Sequence, residues 1–146
     1  MLPGGWLFPG ERRIAAKALD KFKAEIRDMT GRTRGIGLEQ LIKELATYPI
    51  GRRGYFGFCQ TPRALTNLEA WIRRRLRAYL WRQWQNGQNR FKELRRHGLS
   101  KFQAAVAAGS TTGFWRMSGH PAIQKALRNH FFDELGLPRL YVPTAA

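Results

Sequence analysis

Between residues 61 and 86 the apolar positions recur at three- and four-residue steps: Leu65, Leu68, Ile72, Leu76, Tyr79 or Leu80, then Gln83 or Trp84. That spacing stacks side chains on one face of an α-helix, so the segment predicts a long helix with that face buried. Thr61 suits the cap and Pro62 the first helical position, where no backbone donor is needed. Asn86 and Gly87 are residue types that end helices. Arg73, Arg74, Arg75, Arg77 and Arg82 cannot all share the apolar face, so the pattern spreads them over the remaining surface, with Trp71 and Trp81 near the boundary.

Flanking segments read in the same way. Leu19, Phe22, Ile26 and Met29 predict a helix over residues 16–30, closed by Gly31. The loop 31–37, GRTRGIG, carries Arg32 and Arg34 and lacks the glycine spacing of a dinucleotide or Walker fingerprint. A second helix buries Leu38, Leu41, Ile42 and Leu45 and must bend or break at Pro49. Residues 50–60 place Arg52 and Arg53 beside Tyr55, Phe56 and Phe58, rings that suit a stacking surface but more often fill a core. Residues 89–97 form a basic helix (Arg90, Lys92, Arg95, Arg96) with Phe91 and Leu94 inward and Gly98 closing it. Ser100 followed by Gln103 is a capping-box signature opening an alanine-rich helix that ends at Gly109. Residues 110–120 read as a polar connector around Phe114 and Trp115. Pro121 then starts a last helix with Ile123, Ala126, Leu127, Phe131 and Leu135 inward, and LPRLYVPTAA is an extended strap or a frayed end. At the N-terminus two apolar pieces, residues 6–8 and those around Ile14, flank the turn dipeptide Pro9-Gly10 and suggest a short β-hairpin. The expected fold is therefore all-α: a helical bundle around one long central basic helix, with a smaller C-terminal helical segment and a short N-terminal β-hairpin. The expected divisions are 1–15, 16–86 and 87–146.

Charge sharpens this picture. Lys and Arg number 26 against 10 Asp and Glu, a formal net charge of +16, which draws a chain toward phosphate-rich partners. With acids so few, most arginines have no acidic partner to pair with. The hydrophobic fraction of 43 % argues against wholesale disorder. No apolar run approaches the roughly 20 residues of a spanning helix, and the first residues lack a secretory pattern, so the expected compartment is cytoplasmic. Cys59, the single cysteine, excludes an intrachain disulfide and a multi-cysteine zinc site; beside Tyr55 and Phe58 it reads as a small buried hydrophobe. His97, His120 and His130 show no metal-ligand spacing and suit surface or capping roles, and no paired acids suit two-metal phosphoryl chemistry. These features predict no catalytic residue, no metal and no cofactor. The candidate nucleic-acid contacts are Arg73, Arg74 and Arg77 first, then Arg32, Arg34, Arg52, Arg53 and Arg82, with Arg90, Lys92, Arg95 and Arg96 as a second patch.

The ordered pieces RRIAAKALDKFKAEIRDMTGRTRG, LEQLIKELATY, GYFGFCQTP, LEAWIRRRLRAYLWRQW and LGLPRL resemble the C-terminal region of bacterial group II intron-encoded reverse transcriptases. That region is the thumb and maturase-specific domain, also called domain X. The resemblance implies a helical thumb that grips template–primer duplex and a maturase domain that holds intron RNA in its splicing-competent shape, with the palm and its polymerase aspartates absent from these residues. It also implies that the N-terminal hairpin joins palm to thumb. Two positions depart from the family pattern: Pro49 stands where a non-proline residue is usual, and Gly51-Arg52 where the family usually has Gly-Trp. The expected partners are structured group II intron RNA and RNA–DNA duplex, with no membrane. The alternatives are a non-catalytic remnant, or a thumb that completes a separate RNA-directed DNA polymerase by docking to its palm in trans.

Overall fold

The computed structural model describes residues 9–31, 35–47 and 62–140. Among them the chain forms eight helices and no strand: α1 (Pro9–Thr30), α2 (Leu38–Thr47), α3 (Pro62–Gln83), α4 (Gly87–Arg96), α5 (Lys101–Ala108), α6 (Phe114–Ser118), α7 (Pro121–Ala126) and α8 (Asn129–Glu134). The all-α expectation holds. The hairpin does not extend to Ile14, because Pro9 opens α1 rather than a turn; proline is tolerated in a first helical turn, where its missing donor leaves no bond unmade. The segment around Cys59, together with Arg32, Arg34, Arg52, Arg53 and the two family departures, lies outside the described residues.

Helix α3 is the axis. Leu68, Ile72, Leu76, Tyr79 and Leu80 are buried as the spacing predicts, but so are Ala78 and Trp81 on the opposite flank. From residue 76 to 81 α3 is buried all round, as a helix is when neighbours enclose it. It packs against α1 and, most extensively, α6, while α5 joins α4 and α7. One cluster of buried side chains runs from Phe22 on α1 through α2 and α3 to Phe132 and Leu137. The loop before α2 is tied to the axis at one carbonyl, Ile36 O, which accepts from Tyr79 Oη (2.8 Å) and Gln83 Nε2 (2.8 Å).

The second half shows how local chemistry sets the elements. Asn86 caps α4 by accepting from Asn89 N (3.0 Å); α3 itself ends earlier than the Asn86-Gly87 pair suggests, at Gln83. Ser100 caps α5 through Gln103 N (3.2 Å), and Ala104, Ala107 and Ala108 face neighbouring helices as their small size allows. The connector 110–120 is more ordered than its polarity suggests: Met117 and Ser118 are buried, and α6 forms between the glycines Gly113 and Gly119. The single last helix divides into α7 and α8 at Leu127, whose φ and ψ of −112° and 73° leave the helical region. The break moves the apolar register by one, so Phe132 rather than Phe131 is fully buried. Beyond α8 the tail is a strap as far as Leu140, whose backbone N–H donates to Glu69 Oε1 on α3.

Candidate nucleic-acid interface

A helix C-terminus leaves carbonyls without intrahelical donors. In this bundle the arginines fill that deficit. Arg75 donates from Nε to Thr30 Oγ1 (3.0 Å) and from Nη2 to Arg27 O (3.3 Å) at the end of α1, where Arg82 also reaches Gly31 O. Arg74 spans Ser118 Oγ (3.1 Å) and Trp115 O (3.0 Å) on α6. Arg77 sits at the α7–α8 break, donating from Nε to Leu127 O (2.8 Å) and from Nη2 to Asn129 Oδ1 (3.1 Å). Arg90 returns to Trp81 O (3.0 Å) at the end of α3, and Arg95 holds Leu99 O (2.9 Å) after α4. Several guanidiniums also lie over rings, Arg74 on Trp115 at 4.1 Å, Arg82 on Phe114 at 4.6 Å and Arg90 on Trp81 at 4.6 Å, contacts that favour Arg over Lys.

This geometry corrects the expectation that the α3 arginines spread over solvent. Arg73 and Arg77 are buried, at 8 % and 7 % exposure, and Trp81 belongs to the core rather than the boundary. The cause is the packing of α6 on α3 and the reach of Arg77 to the α7–α8 break, which the α3 spacing alone does not foretell. Burial, the largest cause, lowers the Arg77 pKa to about 10, with the Arg73 charge adding to it. Burial also lowers Arg73, with Arg139 contributing and Glu69 and Asp133 partly offsetting it, and it lowers Arg75, with the Arg27 and Arg82 charges adding. Arg90 is lowered by burial alone. Among the described residues none of Arg73, Arg74, Arg75, Arg77 and Arg82 forms an ion pair with a carboxylate; the arginine pairs present are Arg96–Glu93 (3.7 Å) and Arg139–Asp133 (2.5 Å), and His130 Nε2 lies 2.7 Å from Glu134 Oε1. Arg73 differs from its neighbours: its Nε–H is buried with no hydrogen-bond partner.

Between α3 and the α6–α8 layer lies a cleft of about 740 Å³, walled by Trp71, Arg73, Arg74, Arg77, Trp115 and Arg128 and completed by Ala70, Gln124, Asn129 and His130. No carboxylate is among these described lining residues. The cleft brings together Arg73, Arg74 and Arg77, the three arginines ranked first from sequence, and excludes Arg82 and the α4 patch. On α4, Lys92, Arg95 and Arg96 are exposed, whereas Arg90 is half-buried as a peg on Trp81. Trp115, Gln124, Arg128 and Asn129 were missed as site residues. The adjacent aromatic and basic pair Trp115-Arg116 and the run Arg128-Asn129-His130 were the available signals.

The histidines take local roles. His120 Nδ1 caps α7 by accepting from Ala122 N (3.1 Å). His97, at the end of α4, stacks on Trp84 (6.1 Å, 30°) and meets Phe131 edge to face (5.0 Å, 86°), and burial lowers its pKa, opposed by Glu93 and aided by Arg96. Among the described residues no group of three or more His, Cys, Asp or Glu could hold a metal ion, and no helix is long and apolar enough to cross a membrane. Large exposed apolar side chains among those described are Phe102, Val106 and Phe114.

The fold and site define a basic, all-helical domain with an arginine-walled cleft. Residues 19–98, over half of the chain, match the family described as Group II intron, maturase-specific domain, and the chain belongs to that family. Its function is thus of the group II intron maturase kind, and the matched domain is a non-catalytic one. The match ends at Gly98, where a φ of 95° closes α4. The α6–α8 wall of the cleft lies beyond it. No curated relative matches the chain.

Proposed function

We propose that this protein binds structured group II intron RNA and holds it in a splicing-competent shape, and that the same helices serve as the thumb on template–primer duplex in a complete reverse transcriptase. The observation that carries this reading is the cleft: four guanidiniums and two indoles without a carboxylate among the described lining residues, on a chain of net charge +16. Guanidiniums recognise phosphate in a fixed fork geometry, and indoles offer faces to unpaired bases. Lys92, Arg95 and Arg96 on α4 extend the positive surface and suit backbone phosphates, contacts that position RNA without reading its sequence. The test is binding of the purified chain to a folded group II intron RNA and to a length-matched duplex, each at two salt concentrations. A variant with the exposed Lys92, Arg96 and Arg128 changed to Ala provides the comparison. The expected result is a preference for intron RNA of about tenfold, or about 1.4 kcal/mol, reduced in the variant. Equal binding of both RNAs, weakened alike by salt and by the substitutions, would identify a basic remnant and refute the maturase reading.

A further inference from the structure

Arg73 poses a problem that RNA binding in general does not solve. Arg73 is buried at 8 % exposure and lines the cleft, its Nε–H has no hydrogen-bond partner, and the neighbouring Arg74 and Arg77 are already committed to carbonyls. A buried donor without an acceptor is unfavourable, and Glu69 offsets the cost only through its charge. The phosphates of a paired helix are spread over a broad convex surface and match a concave cleft poorly. A single nucleotide swung out of its stack matches it better, because it presents a phosphodiester and a flat ring on a slender strand. The cleft volume of about 740 Å³ falls within the roughly 300–1,000 Å³ of sites that enclose small molecules. Trp71 and Trp115 supply aromatic wall of the type that receives unstacked bases, each with a guanidinium already over its ring, Arg27 on Trp71 at 5.4 Å and Arg74 on Trp115 at 4.1 Å.

Building on the RNA-binding reading above, we propose that the cleft between α3 and α6–α8 receives one extruded RNA nucleotide, its phosphate against Arg73 and Arg128 and its base beside Trp71 and Trp115. The protein would then select RNA carrying a bulged or flipped nucleotide over uninterrupted duplex. The test uses two fluorescently labelled RNA hairpins, identical except that one carries a single-nucleotide bulge, titrated with the full chain and with Arg73→Met, whose thermal midpoint is recorded alongside. The expected result is at least tenfold tighter binding of the bulged hairpin, a margin that Arg73→Met removes while its melting temperature stays close to that of the wild type. If Arg73→Met fails to fold, Arg128→Ala, at an exposed position, must narrow the margin instead. Equal binding of both hairpins by the wild type would overturn the inference and leave RNA binding standing, whereas binding of neither would remove the reading beneath it. A margin that survives the Arg73 substitution in a folded protein would also overturn the assignment.

Discussion

Arg77 and Arg73 lie one turn apart on α3, similarly buried and of identical chemistry, yet their removal has unequal expected consequences. At Arg77, burial lowers the pKa to about 10, an unfavourable environment on the order of 3 kcal/mol at 1.36 kcal/mol per pH unit. The bond to Leu127 O, the bond to Asn129 Oδ1 and the Phe132 ring at 5.4 Å offset that penalty. Arg77→Met removes both sides of this balance and leaves the carbonyl of Leu127, a fully buried residue, without its donor. An orphaned buried acceptor costs about 1–3 kcal/mol, so the expected loss of stability is about 2 kcal/mol. Exposed Asn129 regains water and adds little. Arg73→Met strands no hydrogen-bonded acceptor, and the relief of its buried charge is set against the lost attraction to buried Glu69, so its expected effect lies within about 1 kcal/mol of zero. Urea denaturation followed by far-ultraviolet circular dichroism, with equal m-values required, measures both. If Arg73→Met destabilised as much as Arg77→Met, or if Arg77→Met had no effect, the division of the α3 arginines into bonded and unbonded cations would be wrong.

Three further outcomes follow from local geometry. A Cβ added at Gly31 would stand 2.6 Å from Arg27 O, so Gly31→Ala should destabilise by about 1–3 kcal/mol through forced backbone movement, read by the same denaturation. Gln85 holds a φ of 65° between α3 and α4, a conformation costing a non-glycine residue about 1 kcal/mol; Gln85→Gly should therefore raise the urea midpoint, and a fall would contradict the strain. Burial depresses the His97 pKa in the folded state, so the unfolded chain binds more protons there. Stability from this group is complete above the unfolded value near 6.5 and declines as pH falls through it toward the lowered folded value; His97→Gln should flatten the stability profile in that window, and an unchanged slope would exclude His97 as its source.

Periodicity made the principal helices legible because each buries a regular stripe: Phe22 and Ile26 on α1, Leu41 and Leu45 on α2, Leu68 and Ile72 on α3 all fall where the three- and four-residue steps place them. Ser100 was legible because its cap is a local bond. What could not be read depends on partners distant in sequence. The division between α7 and α8 coincides with a guanidinium 50 residues earlier at Leu127 O, and the order in α6 with Arg74, 44 residues before Ser118. The same limit applied to the site. Charge and spacing singled out Arg73, Arg74 and Arg77, but neither indicates that two of the three are bonded to carbonyls, nor that Trp115 and Arg128 close the opposite wall.

The choice of carbonyls rather than carboxylates as partners links the fold to the charge it carries. Arg74, Arg75 and Arg77 each bridge two acceptors on another element, Ser118 with Trp115, Thr30 with Arg27, and Leu127 with Asn129. Lysine, a single flexible point charge, could not hold two separated acceptors in this fork geometry. Had these staples been ion pairs, each would have cancelled a unit of charge as it joined two helices. Neutral acceptors join the helices and leave the positive charge intact, so the bundle closes while the cleft keeps its field. A polyanion is then attracted to guanidiniums already fixed by bonds to the backbone, and little ordering is lost when it arrives. The self-repulsion that a net charge of +16 imposes on a compact chain is thus relieved chiefly by the ligand, and binding and folding stability are expected to rise together.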